Sequence, residues 1–274
     1  MEIEKLFAQL HSLPSIPKVA QDLITQFDNP SSSLEAIARN IEKDPVISAK
    51  ILRLANSARF KGARESTSIE DAAMRLGFNT MRTLVLASAV TGAFSAPASF
   101  NLKAFWLKSF QVASIARVLA KQGGQDPEVA FTTGLMHNIG ELLIQTGAPD
   151  MVERLNARRA TTSPAHAADE TVQIGFGYPE VGAELARRWN LPKQILDGIA
   201  YQAKPHQAPG HSPLPLIVAQ AEEVSDHLHQ YGGPTDEAKA QLNDELMKDV
   251  DLDLLFDALP PVLEADKAFA QLLD

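Results

Sequence analysis

IEKDPVISAKILRLANSARF, residues 41–60, sets out the start of a helix and one of its faces within a single short span. Asp44 offers a carboxylate to the first exposed amides of a helix, and Pro45 follows at the first helical position, where its missing N–H costs nothing. Ile47, Ile51, Leu54 and Ala58 then line one side of the helix. Immediately upstream, SSSLEAIARN places Leu34, Ile37, Ala38 and Ile41 at i, i+3, i+4 and i+7, again one face of a helix. Ser32 and Glu35 have the spacing of a capping box at its start. Two apolar helical faces joined by an Asp-Pro restart imply helix packed on helix, with Ala55, Ser57 and Ala58 small enough for close approach. Asn56 is expected to satisfy backbone groups where the second helix ends.

The same period continues through most of the chain. A short helix is expected from Ser68 to Gly77, where a left-handed cap is needed, and a longer one over about 79–93. AFWLKSFQVASIARVLAKQGG (104–124) reads as a helix stopped by paired glycines, and DPEVAFTTGLMHNIGELLIQTG (126–147) as one further helix opened by Asp126–Pro127. Others are predicted near 150–159, 164–174, 179–189, 192–202 and 213–230. Two or three more should follow, broken at Pro234 and at Pro260–Pro261. No segment alternates apolar and polar residues long enough to require a strand. The predicted class is all-α and multi-helical.

Composition narrows the chemistry. Among 274 residues there is no cysteine, which removes disulfides, thiolate metal sites and cysteine nucleophiles. The N-terminal MEIEKLFAQLHSLPSIPKVA has neither a basic nor a long apolar region, so no signal peptide is expected. Apolar runs such as LVLASAV (84–90) are too short to span a bilayer. A cytoplasmic location without membrane contact is the expectation. Net charge is −9, but residues 222–274 hold 14 acids and 3 bases, leaving 20 acids and 22 bases in residues 1–221. The acidic end opposes non-specific nucleic-acid binding, which phosphate attraction dominates.

Several of these segments together resemble the HDOD family, bacterial signalling domains related to the HD phosphohydrolases. The resemblance rests on LPSIPKVAQDLI, LEAIARNIEKDPVISAKILRLANSARF, SIEDAAMRLGFNTMRTLVLASAV, GLMHNIGELLI and YPEVGAELARRWNLPKQILDGIAYQ, which occur in that order between about Leu13 and Lys204. It implies an HD-like helical bundle with a degenerate hydrolase core and a regulatory, signal-transducing role. The expected organisation is an HDOD-like domain over 1–212 and a C-terminal helical extension over 213–274, packing on or beside it.

An HD hydrolase brings several histidine nitrogens and aspartate oxygens to one or two metal ions, which generate a hydroxide and neutralise phosphate charge. The resemblance carries these positions onto this chain one at a time. The His–Asp pair corresponds to His137–Asn138, whose neutral amide cannot bridge two ions. The first histidine falls at or beside Lys108, and a cation there repels a metal. Tyr178 stands before EVGAELA where another histidine is expected, and Gln202–Ala203 stand where a further pair should be. The last aspartate falls near Ala221–Glu222. Only His137 and Glu222 keep a ligand type, so neither a bound metal, a cofactor nor an enzymatic activity is expected. His137 itself reads as a core histidine bonded to a nearby carbonyl or hydroxyl. His206 and His211 lie in a Pro-rich loop, His11 and His166 read as isolated, and His227 and His229, two apart on a helix, point away from each other.

Three binding modes remain. IEDAAMRLGFNTMRTLVLAS has the outline of a helix-turn-helix with Arg75, Asn79, Thr80 and Arg82 near the turn, but its second helix is so apolar that burial is the better reading. Lys108, Arg117, Arg187 and Arg188 could address the phosphates of a nucleotide second messenger. A protein-interaction module uses its helical surface, including the cluster Leu252, Leu254, Leu255, Phe256 and Leu259 among acids. The reading adopted is a non-catalytic signalling module with protein partners. The nucleotide sensor and a residual phosphohydrolase stand as alternatives, and self-association is left open.

Overall fold

The computed structural model describes residues 3–9, 14–25, 34–57, 60, 62, 64–94, 100–147 and 163–267. The helix expected at 150–159, the Ser32 cap and His11 lie outside the described residues. Regular structure within them is entirely helical: α1 (Ile3–Gln9), α2 (Lys18–Thr25), α3 (Leu34–Ile41), α4 (Pro45–Ala55), α5 (Ile69–Gly92), α6 (Leu102–Gln122), α7 (Pro127–Met136) and α8 (Ile139–Gly147). There follow α9 (Ser163–Ile174), α10 (Tyr178–Arg188), α11 (Lys193–Ala200), α12 (Leu214–Gln230), α13 (Asp236–Ala240), α14 (Asp244–Met247) and α15 (Leu252–Asp266). Two 3₁₀ turns, Pro205–Gln207 and Pro209–His211, precede α12. The chain forms two compact units, Met1–Leu13 with Ala96–Pro260 and Pro14–Ser95 with Pro261–Asp274.

In the unit built around Pro14–Ser95, α5 packs against α2, α3 and α4. The start of α4 follows the sequence closely: Asp44 Oδ1 accepts the N–H groups of Val46 and Ile47, both at 3.0 Å. At the other end of α4 the Asn56 amide forms a two-way clasp with a residue ten positions on. Its Nδ2 donates to the Ser66 carbonyl at 2.9 Å, and its Oδ1 accepts the Ser66 N–H at 2.7 Å. The two helices expected on either side of Gly77 meet there at a kink within α5, where Gly77 takes φ 76°, ψ 169°, a conformation that costs a residue with a Cβ far more than glycine. Beyond it Met81, Leu84, Val85, Ala87 and Val90 are buried, and so is Arg82, whose guanidinium lies 5.7 Å from the Phe78 ring centre.

The larger unit is organised by α6, against which α7 and α12 pack, with α11 bridging α7, α10 and α12. Glycine permits the tight crossings. A Cβ at Gly134 would stand 2.8 Å from Ala113 Cα, and one at Gly140 only 1.9 Å from the Tyr178 carbonyl oxygen. Helix α1 joins this unit through Arg188, which pairs with Glu4 at 2.7 Å and covers the Phe7 ring at 4.3 Å. Leu214–Gln230, expected to open the C-terminal extension, packs on α6, α7 and α11, while α13 and α14 pack on α12. The expected break at Pro260–Pro261 is absent. Helix α15 runs through both prolines, with Leu255 and Leu259 fully buried on its inner side. Burial of that face outweighs the backbone bonds the prolines remove.

Candidate functional site

The segment 126–147, expected as one helix, is two. It breaks at His137–Asn138 between α7 and α8. The cause is tertiary. In a continuous helix the His137 carbonyl would accept the N–H of residue 141. Here the Glu141 N–H bonds the Asn138 carbonyl instead, at 3.1 Å. The His137 carbonyl takes Gln202 Nε2, from the turn after α11, at 2.6 Å. Gln202 donates again to the Ile199 carbonyl at 2.9 Å, so both of its amide hydrogens are used. Its Oε1, also buried, has no hydrogen-bond partner among the described residues.

The His137 ring is fully buried. Its Nδ1 lies 2.6 Å from the Gly134 carbonyl, which can only accept, so Nδ1 carries the hydrogen. Burial is the main force on its titration and pushes its pKa down to about 4. The bond to Gly134 opposes this, the Lys108 charge adds to it, and Asp226 and Glu141 pull upward. At neutral pH the imidazole is uncharged and Nε2 presents a lone pair. Nε2 faces Glu222 Oε1 at 3.8 Å, too long for a hydrogen bond. Lys108 sets its ammonium 2.6 Å from Asp226 Oδ1, both side chains being about two-fifths exposed.

Lys108, His137, Gln202 and Glu222 therefore lie close to one another. Ala203 lies beside them, lining the same hollow as Gln202 and Glu222. Asn138 is half-buried in the break between α7 and α8. Tyr178 belongs to a neighbouring cluster. It is buried and stacks on His166 with ring centres 5.8 Å apart, and its N–H donates to Glu170 Oε2 at 2.6 Å. That carboxylate sits at the first residue of α10, where helix charge favours an anion. His166, read from the sequence as isolated, has its Nε2 3.4 Å from Glu170 and 4.0 Å from Glu141.

Asp226, Glu141, His166 and Glu170 were not among the expected site residues. A signal for them existed. Glu141 is the one acid in the mostly apolar segment 129–144. His166 and Glu170 are four apart on one helix face, as are Glu222 and Asp226. Among the described residues no three or more His, Asp or Glu side chains are arranged to hold a metal ion.

The cations considered for a phosphate are engaged. Arg117 bonds Glu128 at 3.0 Å and lies over Phe131 at 4.1 Å. Arg187 and Arg188 both bond Glu184 at 2.7 Å. His227 makes a 2.9 Å contact with the Glu223 carbonyl, and its ring stacks on Tyr231. No helix among the described residues is long and apolar enough to cross a membrane.

Comparison with known proteins agrees with this architecture. An uncharacterised protein of Treponema pallidum (strain Nichols) is 30% identical over 217 residues, covering 78% of this chain and 42% of that protein. The chain thus spans less than half of that relative. A crystal structure from Shewanella amazonensis SB2B, of a protein provisionally named a phosphohydrolase, is 35% identical, with TM-score 0.82 and 98% of each chain covered. An HDOD domain protein of unknown function from Geobacter sulfurreducens is 24% identical with TM-score 0.79, covering 98% of this chain and 96% of that one. The HDOD domain model matches residues 13–205, which takes in α2 to α11 and the Gln202 turn that breaks α7 from α8. This chain belongs to the HDOD domain family.

Proposed function

We propose that the chain is a non-catalytic regulatory module that acts through protein partners, and that its HD-type pocket serves sensing or structure rather than hydrolysis. One observation carries the reading. His137 is neutral, holds its Nδ1 hydrogen on the Gly134 carbonyl and has its Nε2 facing the Glu222 carboxylate. Around it an HD hydrolase would present further histidines and aspartates, and this chain presents an ammonium at Lys108 and amides at Asn138 and Gln202. Catalytic metal sites need about three protein ligands and an open position, and two candidates fall short of that. The name of the Shewanella relative favours phosphohydrolysis as the alternative.

A single experiment separates the two. Protein purified from cells supplied with iron, manganese and zinc is expected to hold less than about a tenth of an equivalent of each metal. It is also expected to release no phenol from a generic aryl phosphodiester, with or without added metal. One or two equivalents of metal, lost together with phosphodiester cleavage on His137→Ala, would overturn the proposal.

A further inference from the structure

The larger unit contains a second hollow, of about 500 Å³, between α9, the start of α10 and the turn after α11. Its size is that of a small-molecule site. It shares only Pro164 and Ala203 with the hollow beside Gln202 and takes in neither His137 nor Glu222. Most of its wall is small and apolar: Ala167, Ala168, Ala200, Ala203 and Pro179. Val172 lines it too and is 86% exposed, more than any other large apolar side chain among the described residues. A guest lying on Val172 removes that apolar surface from water, which favours an apolar body.

The polar groups of the wall point to the other end of the guest. The Lys204 ammonium, the Tyr201 hydroxyl and the Gln207 amide line the hollow and have no hydrogen-bond or ion-pair partner among the described residues. They lie in one short stretch, 201–207, whose backbone is held in turns. The Lys204 N–H bonds the Tyr201 carbonyl and the Gln207 N–H bonds the Lys204 carbonyl, both at 2.9 Å. The remaining polar groups are in use. Glu180, the one acid on the wall, accepts the Gly177 N–H at 2.9 Å, and the Thr171 hydroxyl donates to the Ala167 carbonyl at 2.8 Å. The Tyr178 N–H, at the same end of α10, is taken by Glu170. Lys204 is thus the one cation facing the hollow, and the start of α10 has already spent these amides on carboxylates. That set matches a single negative charge. A phosphate group carries nearly two at neutral pH and finds no second cation here.

We infer that this hollow binds an organic monocarboxylate with an apolar body. The carboxylate accepts hydrogen bonds from Lys204 Nζ and the Tyr201 hydroxyl, and the body lies against the alanines and Val172. An ionised carboxylate has acceptor sites for both donors at once, and its bond to an ammonium is charge-assisted. The inference goes beyond the proposed function, since it holds whether or not the His137 pocket hydrolyses phosphodiesters.

The test is titration calorimetry of the full chain with 3-phenylpropanoate at matched ionic strength. 3-Phenylpropan-1-ol supplies the same carbon skeleton without the charge, and inorganic phosphate supplies charge without the apolar body. Saturable binding of the carboxylate is expected, with the alcohol at least about tenfold weaker and no saturable heat from phosphate. Lys204→Gln alters an exposed side chain and should weaken carboxylate binding about tenfold, the effect of losing one charge-assisted hydrogen bond. Tyr201→Phe keeps the ring and removes the hydroxyl, and should weaken it about three- to tenfold. Four results would each overturn the inference: no saturable heat with the carboxylate, equal affinity for the alcohol, phosphate binding as tight as the carboxylate, or affinity unchanged in both variants.

Discussion

His137 is the residue on which burial acts most visibly. Its pKa lies near 4 in the folded protein, against an ordinary value of 6.5. Between those values the unfolded chain binds the proton and the folded chain does not, so stability rises with pH through that window. The contribution is fully present above about pH 6.5 and is lost as pH falls toward 4, amounting to roughly 3 kcal/mol. Urea unfolding at pH 7 and pH 4.5 should show wild type losing about that much more than His137→Gln. Equal losses would mean the imidazole is not desolvated as described. Gln202→Leu should cost about 1–3 kcal/mol at pH 7, because the His137 carbonyl loses its donor in a buried setting. At this scale the sequence was informative about identity and poor about company. His137, Gln202 and Glu222 could be named from their order along the chain, whereas the Lys108–Asp226 pair and the His166–Glu170–Glu141 group depend on contacts between different helices. Reading His166 as isolated failed because Glu141 is 25 positions away and meets it only after folding.

Among the elements, the close crossing of α8 and α10 is the most demanding. Gly140→Ala would place a methyl group 1.9 Å from the Tyr178 carbonyl oxygen, inside van der Waals contact with a backbone that has no rotamer to change. The gain in helix propensity, about 1 kcal/mol, is expected to be overwhelmed, with a net loss of about 2 kcal/mol or more from overpacking. Chemical denaturation checks this, and a neutral or stabilising result would show that the helices separate easily. Local chemistry wrote the Asp44–Pro45 start of α4 and the Gly77 interruption of α5 plainly enough to be read. The break between α7 and α8 was invisible because the apolar period continues straight across it. What interrupts it is a side chain 65 positions away. The two prolines of α15 misled in the opposite direction, since a strong local signal was outweighed by burial of Leu255 and Leu259.

On the scale of the whole molecule, charge and chain order carry the remaining predictions. With 14 acids against 3 bases in residues 222–274 and Arg82 buried in α5, duplex DNA should give no gel shift even at about 50 mM salt, where phosphate attraction is strong. A shift that weakens steeply with salt would contradict this. The all-helical class was legible from the 3.6-residue period alone. The division into two units was not, because each is assembled from two separate stretches of the sequence, and periodicity carries no information about long-range assembly. The pairing of Glu4 with Arg188 has a consequence for how the chain is made. Translation delivers α1, with its apolar Leu6 and Phe7, long before its partner. At roughly 5–20 residues per second, the 184 positions between them represent a delay on the order of ten to forty seconds. Throughout that delay the nascent helix keeps Leu6 and Phe7 without the Arg188 it docks against, an apolar face open to a ribosome-associated chaperone.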